Sequence, residues 1–435
     1  MKKRKAISFI LTGSLLVSIL AGCSGDNHSS ESNTASNSGS NGQTELNFVN
    51  WSSEGVTAEA FTEMYKTYES EHKDVKIKNT VLPYNQFLEQ VLIMTSGGTA
   101  PDVAQIHGSM VSTLVSSGAL TPLDDLISEE TKNDFFENVT EPLYYDGKLM
   151  ATPWVPSPNV LYYNKTLLEQ AGYTEPPKTW EEMKQMAIDI SALGTTESGS
   201  KIYGFGLASK KLAGAGYCYL PWIWAHGGDL VDENDEVTLD TPEVIAALTE
   251  TKELLQDEIS PVGLEVNDLR NLFAQGQLGF LFDGDYGFLN FVSSSPKGEA
   301  FREEFDAAVP PEHMSVYYEH NLGIFEGSNQ KEAAAEFVEW MSGPEAMHIY
   351  NTKSNTKTPA RKSVKELEEY STDKDIQVFL DTLEVSRGFP QKNPNFIKAM
   401  EDMAESLQRV SINNEDPATV AKELDEKVTA LYTQE

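Results

Sequence analysis

Apolar and polar residues alternate in Leu46-Asn47-Phe48-Val49-Asn50-Trp51, the signature of a strand. Phe61, Met64, Tyr65 and Tyr68 then recur at helical spacing. Val75 and Ile77 between lysines predict a second strand. Phe87, Val91 and Leu92 predict a second helix, and the run from Pro101 to Ile106 a third strand. This β-α-β-α-β order argues for an α/β layered domain, in which ligands gather at the carboxyl ends of strands. Trp51 and His107 stand at two such ends. Further along, Thr179 with Glu182 predicts a capping box opening a helix whose inward face is Trp180, Met183, Ala187 and Ile190. Thr241-Pro242 starts another helix. Leu278 to Phe282 is a buried strand running into Asp283-Gly284-Asp285, and Glu332 to Met341 is helical with Ala334, Phe337, Val338 and Met341 inward. No internal repeat is visible.

The first residues follow a different pattern. Lys2, Lys3, Arg4 and Lys5 precede an apolar run from Ala6 to Leu20, and the stretch closes on Leu20-Ala21-Gly22-Cys23. This is the layout of a secretory signal peptide over 1–22. Its core is short for a bilayer span, which needs about 20 apolar residues. The small-small-Cys ending resembles a bacterial lipobox, which implies cleavage before Cys23, acylation of its sulfur and a lipid anchor in the membrane. The Ser-, Asn- and Gly-rich segment 23–44 cannot bury enough surface to order itself and reads as a tether. The folded body is then expected on the extracellular face of the cell membrane.

About 390 residues remain beyond the tether, more than one core usually serves, so two domains are expected. The formal charge of −34 makes nucleic acid or a bare anionic membrane surface a poor partner. With Cys23 acylated, Cys218 has no disulfide partner and reads as a buried small hydrophobe. There is no P-loop, no Gly-x-Ser-x-Gly and no His-Glu-x-x-His, and the seven histidines lack ligand spacing. Asp283 and Asp285 are a carboxylate pair of glycosidase type only if their strand stays regular, and Gly284 argues that it does not. The expectation is a non-enzyme with no cofactor and no metal.

Several blocks carry a resemblance. Residues 161–182 (LYYNKTLLEQAGYTEPPKTWEE), 97–126 (GGTAPDVAQIHGSMVSTLVSSGALTPLDDL), 217–230 with Gly227-Gly228, Phe273-Ala274-Gln275-Gly276 with Gly284-Asp285-Tyr286, and Gly343-Pro344-Glu345 with Thr358-Pro359-Ala360-Arg361 occur in that order. Together they resemble the bacterial extracellular solute-binding proteins of the sugar-binding, maltose-binding-protein-like class, receptors of ABC importers. The resemblance implies an α/β, two-lobed, periplasmic-binding-protein-like fold of type II that hinges closed on ligand. Crossings are expected near Pro156–Asn159, Pro310–Pro311 and Glu345–Ala346, giving lobes 45–156 plus 311–345 and 157–310 plus 346–435. It also implies a sugar ligand, transmembrane permease subunits as partners, and a monomer. A polyamine or other non-sugar solute is the runner-up, because acidic residues cluster at candidate positions.

Sugars need flat aromatics for their C–H faces and fixed polar groups for their hydroxyls. Tyr286 stands where the family carries a stacking Trp, with stacking or core packing as its two readings. Tyr217 and Trp154 are each open between cleft and core. Trp222 and Trp224 lie two apart, so at most one reaches the cleft, and Trp222 is preferred. Trp180 and Trp340 are assigned to the core. Trp51, Glu54, His107 and Ser109 follow strands in ligand-contacting loops, although Glu54 can equally be a solvated acid. Asp285 can take hydroxyls while Asp283 caps a turn. Arg387 and Asn395 border the cleft in the late segment, and Arg361 is structural.

Overall fold

The computed structural model describes residues 43–313, 315–354 and 358–433. The signal segment, Cys23 and the tether as far as residue 42 lie outside the described residues. Order begins early, since β1 spans Thr44–Asn50 and so takes in the last tether residue.

The predicted opening is present. β1, β2 (Val75–Val81) and β3 (Val103–His107) run parallel, with Leu46 opposite Ile77 and Phe48 opposite Val103. The helix Ala58–Glu71 covers them, burying Phe61, Met64 and Tyr68. Two later strands complete this sheet. β4 (Thr152–Pro158) and β9 (Tyr317–Ile324) join antiparallel, giving the order β2-β1-β3-β9-β4. A second sheet has the order β8-β5-β7-β6, from β5 (Val160–Asn164), β6 (Tyr203–Gly206), β7 (Leu278–Asp283) and β8 (Phe305–Ala308). Only β6 and β7 are parallel there. Each sheet is sandwiched by helices and has its own buried apolar cluster, which makes two lobes. Among the described residues no helix is long and apolar enough to cross a membrane.

Local signals behave largely as expected. Thr179 accepts from the Glu182 backbone at 3.2 Å, but the Glu182 carboxylate reaches back to Lys178 N, at 2.8 Å, and not to the cap residue itself. Thr241 caps the helix Pro242–Gln256.

Three strands of chain pass between the lobes side by side. Asn159 alone separates β4 from β5, and its N–H donates to Val316 O at 2.9 Å. A second passage returns the chain from β8 to β9. The third passage corrects the expected crossing at Glu345–Ala346. Pro344 simply starts the helix Pro344–Ser354, and Ala346, Met347, Ile349 and Tyr350 pack into the first lobe's core, as do Val364, Tyr370, Ile376 and Leu380. The crossing comes some 40 residues later: Arg387 N donates to Ser315 O at 3.0 Å and Arg387 O accepts from Tyr317 N at 3.3 Å. The expected position came from the resemblance, and a proline at a helix's first turn is compatible with continuing inside the same core.

Candidate functional site

The first wall of the cleft is built by strand ends. β1 stops at Asn50, whose side-chain oxygen accepts from the N–H groups of Ser52 and Ser53 (3.1 and 2.8 Å) while its amide donates to Asn79. That local turn aims Trp51 outward against Tyr84 (5.4 Å between ring centroids), Phe87 (4.9 Å) and His320 (5.5 Å). Tyr84, 45% exposed, opens the helix Tyr84–Ser96. β3 stops at His107, which caps the helix Gly108–Ser116: its Nδ1 lies 3.3 Å from Ser109 N and 2.8 Å from Ser109 Oγ. His107 and His320 face each other across β3 and β9. Burial, reinforced by the neighbouring His320, pushes the His107 pKa down to about 3, and burial pushes His320 to about 4. Both rings are therefore neutral at pH 7, each with one donor and one acceptor nitrogen.

The second wall comes from a helix, the end of β7 and β9. In the helix Ala213–Ala225, a side chain on Gly216 would sit 2.2 Å from Met400 O, so only glycine lets the helix lie against Phe396–Ser411. The next residue, Tyr217, is thereby set between Phe389 (5.1 Å), Phe396 (5.8 Å) and Tyr318 (6.3 Å). Its pKa is pushed up to about 12, chiefly by burial, against the lowering influence of Ser109 of the opposite lobe. At the end of β7, Asp283 receives both Nε (2.7 Å) and Nη2 (2.8 Å) of Arg270, which projects from the helix Val266–Ala274. The same Nη2 donates to the Tyr286 hydroxyl at 3.0 Å, with the guanidinium carbon 4.8 Å from that ring's centroid. Burial works against the Arg270 charge, but Asp283 outweighs it and raises the pKa. Asp285 accepts from Ser157 Oγ of β4 at 2.8 Å. A Cβ on Gly284 would stand 2.5 Å from that hydroxyl and 2.8 Å from the Tyr286 ring, so the bare backbone is what lets Ser157 and Tyr286 close in. Cys218 is half-buried with its thiol against Tyr318, and burial pushes its pKa up to about 11.

The walls meet where Ser112 Oγ donates to Asn393 O at 3.4 Å, and His107 lies 6.0 Å from Tyr318 of the neighbouring strand. Of the residues expected at the site, Trp51, His107, Ser109, Tyr217, Asp283, Asp285 and Tyr286 come together here. Others do not. Trp154 is 0% exposed in the first lobe's core, packed on Phe61 and Tyr350 with its Nε1 bonded to Met341 O at 3.0 Å. Trp222, 1% exposed, packs edge-on to Trp180 at 4.1 Å and against Phe205 at 5.0 Å. Trp224, two positions further along the helix, is turned outward, where Arg387 lies over its ring at 4.4 Å and both reach Asp229. Arg387 is thus tied to that outer surface. Asn395 donates to Leu431 O at 3.0 Å and joins helix ends. Glu54 is exposed in the turn leading to Gly55–Thr57. Trp180 is core, as expected, bonded to Glu250 at 2.8 Å, while Trp340 is only partly buried.

Four contributors escaped the sequence reading: Tyr84, Arg270, Tyr318 and His320. Along β9 the residues run Tyr317-Tyr318-Glu319-His320-Asn321-Leu322 without apolar–polar alternation, and the polar Glu319 and Asn321 are buried, so periodicity does not mark this strand. Arg270 carries no local signal either, because its partner Asp283 lies on a different element. Among the described residues no group of three or more His, Cys, Asp or Glu side chains gathers as a metal site.

The sequence profile of the bacterial extracellular solute-binding proteins matches residues 53–348. A binding protein of Brucella abortus (strain 2308) is 26% identical over 383 residues, which cover 86% of this chain and 90% of that one. The diacetylchitobiose binding protein of Streptomyces coelicolor is 26% identical over 354 residues, 77% of each chain. Among solved structures, an ABC transporter solute binding protein from Thermotoga lettingae bound with alpha-D-tagatose superposes with a TM-score of 0.77 at 22% identity, over 90% of this chain and 100% of that one. At that identity the likeness is one of fold.

Proposed function

We propose, since the chain belongs to the bacterial extracellular solute-binding protein family, that it is the receptor of an ABC importer, capturing a carbohydrate between its lobes and delivering it to a membrane permease. The observation that carries this reading is the composition of the facing walls. Trp51, Tyr84, Tyr217 and Tyr318 offer flat apolar faces, and the neutral rings of His107 and His320 with the Ser109 hydroxyl offer uncharged donors and acceptors between them. Stacked C–H faces and directional hydroxyl contacts are what a sugar presents. The names of the relatives, one a diacetylchitobiose binding protein and one bound with tagatose, point the same way. Asp283 is held by Arg270, which counts against a cationic solute.

Capture follows from the architecture. Ligand bridges two lobes joined by three strands of chain, and the affinity is the contact energy less the cost of bringing the walls together. The basic head, apolar run and Cys23 support secretion, acylation and attachment at the outer face of the membrane by a lipid anchor, with the chain acting as a monomer. Incorporation of labelled palmitate, lost in Cys23→Ala, checks the anchor.

The function is tested by thermal unfolding of the purified protein with mono-, di- and oligosaccharides and with polyamines. A ligand at a hundred times its Kd stabilises by about 2.7 kcal/mol. A dose-dependent rise with one saccharide class is expected. A rise with polyamines alone would sink the sugar reading and keep the receptor role.

A further inference from the structure

We propose that Arg270 is a specificity-determining residue that makes the cleft select uncharged solute, an inference that rests on the carbohydrate reading above. Asp283 ends β7 at the side of the sheet where ligands bind, and it is 3% exposed. A buried carboxylate beside aromatic rings is what recognises an ammonium group. Arg270 removes that option. Its fork engages both carboxylate oxygens, and its third contact fixes the Tyr286 hydroxyl. One side chain thereby cancels the charge and sets the ring. The helix that presents it is anchored independently, through buried Leu269 and Phe273 and the reciprocal cap of Glu265 and Asp268. The Ser157 and Tyr162 hydroxyls also hold the backbone of the Asp283–Tyr286 turn without using the guanidinium. Removing the guanidinium alone therefore uncovers the Asp283 charge at the cleft while the backbone that carries it keeps its other supports, at a cost in stability from the unpaired carboxylate.

The test compares the wild-type protein with Arg270→Met, Arg270→Lys and the double variant Arg270→Met/Asp283→Asn, by titration calorimetry and thermal unfolding against spermidine, putrescine and the saccharide panel. Arg270→Met is expected to bind spermidine at least about tenfold more tightly than wild type, the size of one charge-assisted hydrogen bond. The double variant loses that gain, and Arg270→Lys, which keeps a cation beside Asp283, behaves as wild type. A merely structural arginine would weaken the protein without creating a new affinity. The proposal is overturned if Arg270→Met and the double variant respond equally to spermidine, or if wild type already binds it as tightly as Arg270→Met does. Should Arg270→Met give no cooperative melt, Asp283→Asn is the mirror experiment. The freed guanidinium is expected to bind glucuronate about tenfold more tightly than wild type does, and no gain there overturns the proposal. A wild type that ignores every saccharide while Arg270→Met gains spermidine would sink the sugar reading and leave the role of Arg270 standing. Saccharide binding by wild type with no gain in any variant would do the reverse.

Discussion

The two walls of the cleft present similar rings on different foundations. On the first, Trp51, Tyr84 and His107 sit at strand and helix ends with His320 inside β9 beside them, and the polar atoms between them are neutral because burial strips the histidines of their protons. On the second, Tyr286 is positioned by an ion pair, Arg270 with Asp283, whose charges cancel. Neutrality is reached by desolvation on one side and by compensation on the other. The first route makes the wall sensitive to acid. The second makes it sensitive to substitution, because removing one partner leaves the other buried and unpaired.

The comparison breaks hardest where the second wall rests on its core. Trp222→Ala is expected to lower unfolding stability by about 3–5 kcal/mol in urea denaturation, the cost of emptying a buried tryptophan site. Trp224→Ala, two residues on and outward-facing, is expected to change it by under about 1 kcal/mol. Equal losses would contradict the core placement of Trp222.

Next come two opposite pH slopes from neighbouring residues of one strand. Glu319 points away from His320 and is 2% exposed. Burial raises its pKa to about 7, against the lowering effect of hydrogen bonds from Asn321, Gln391 and Tyr317. A carboxyl with a raised folded pKa gives stability that is fully present below its unfolded pKa and lost as pH rises through the folded one. Between pH 4.5 and 7 the protein should therefore lose about 3 kcal/mol through this group, at 1.36 kcal/mol for each unit of displacement. Chemical denaturation across that range is expected to show the stability difference between wild type and Glu319→Gln falling by about that amount as pH rises, since the difference cancels the opposite slope of the histidines. His107 and His320 act in the other direction. Their folded pKa values are depressed, so their stability is present above about pH 6.5 and lost as pH falls toward about 3 and about 4. Replacing His320 with Asn should remove about 2–3 kcal/mol of the acid-side loss. An unchanged acid limb in that variant would contradict its burial as a neutral ring.

The smallest effect is expected at the outer surface of the crossing. Arg387 is more than half exposed over Trp224 and beside Asp229. Arg387→Ala should cost under about 1 kcal/mol, and less at high salt. A larger loss would make this contact a structural clamp between lobes.

Much of this protein was legible in the order of its residues. The opening β1–β3 alternation, the face Phe61, Met64 and Tyr68, the caps at Thr179 and Thr241 and the strand running into Asp283 all express local periodicity and local hydrogen bonding, which neighbouring residues determine among themselves. The positions of Trp51 and His107 followed as well, because strand ends face the ligand side in any such sheet. Tertiary structure alone decided the rest. The crossing expected at Glu345–Ala346 is instead the first turn of a helix buried in the first lobe. Trp222 and Trp224 have the same local neighbourhood, and only the packing of their helix on Trp180 and Phe205 sends one inward and leaves the other beside Arg387. The pairing of Arg270 with Asp283, and of Ser112 with the Asn393 carbonyl, joins elements apart along the chain. Such contacts depend on where the chain crosses between lobes, and a crossing is set by which core a segment can fill, a property of the whole fold that no window of sequence contains.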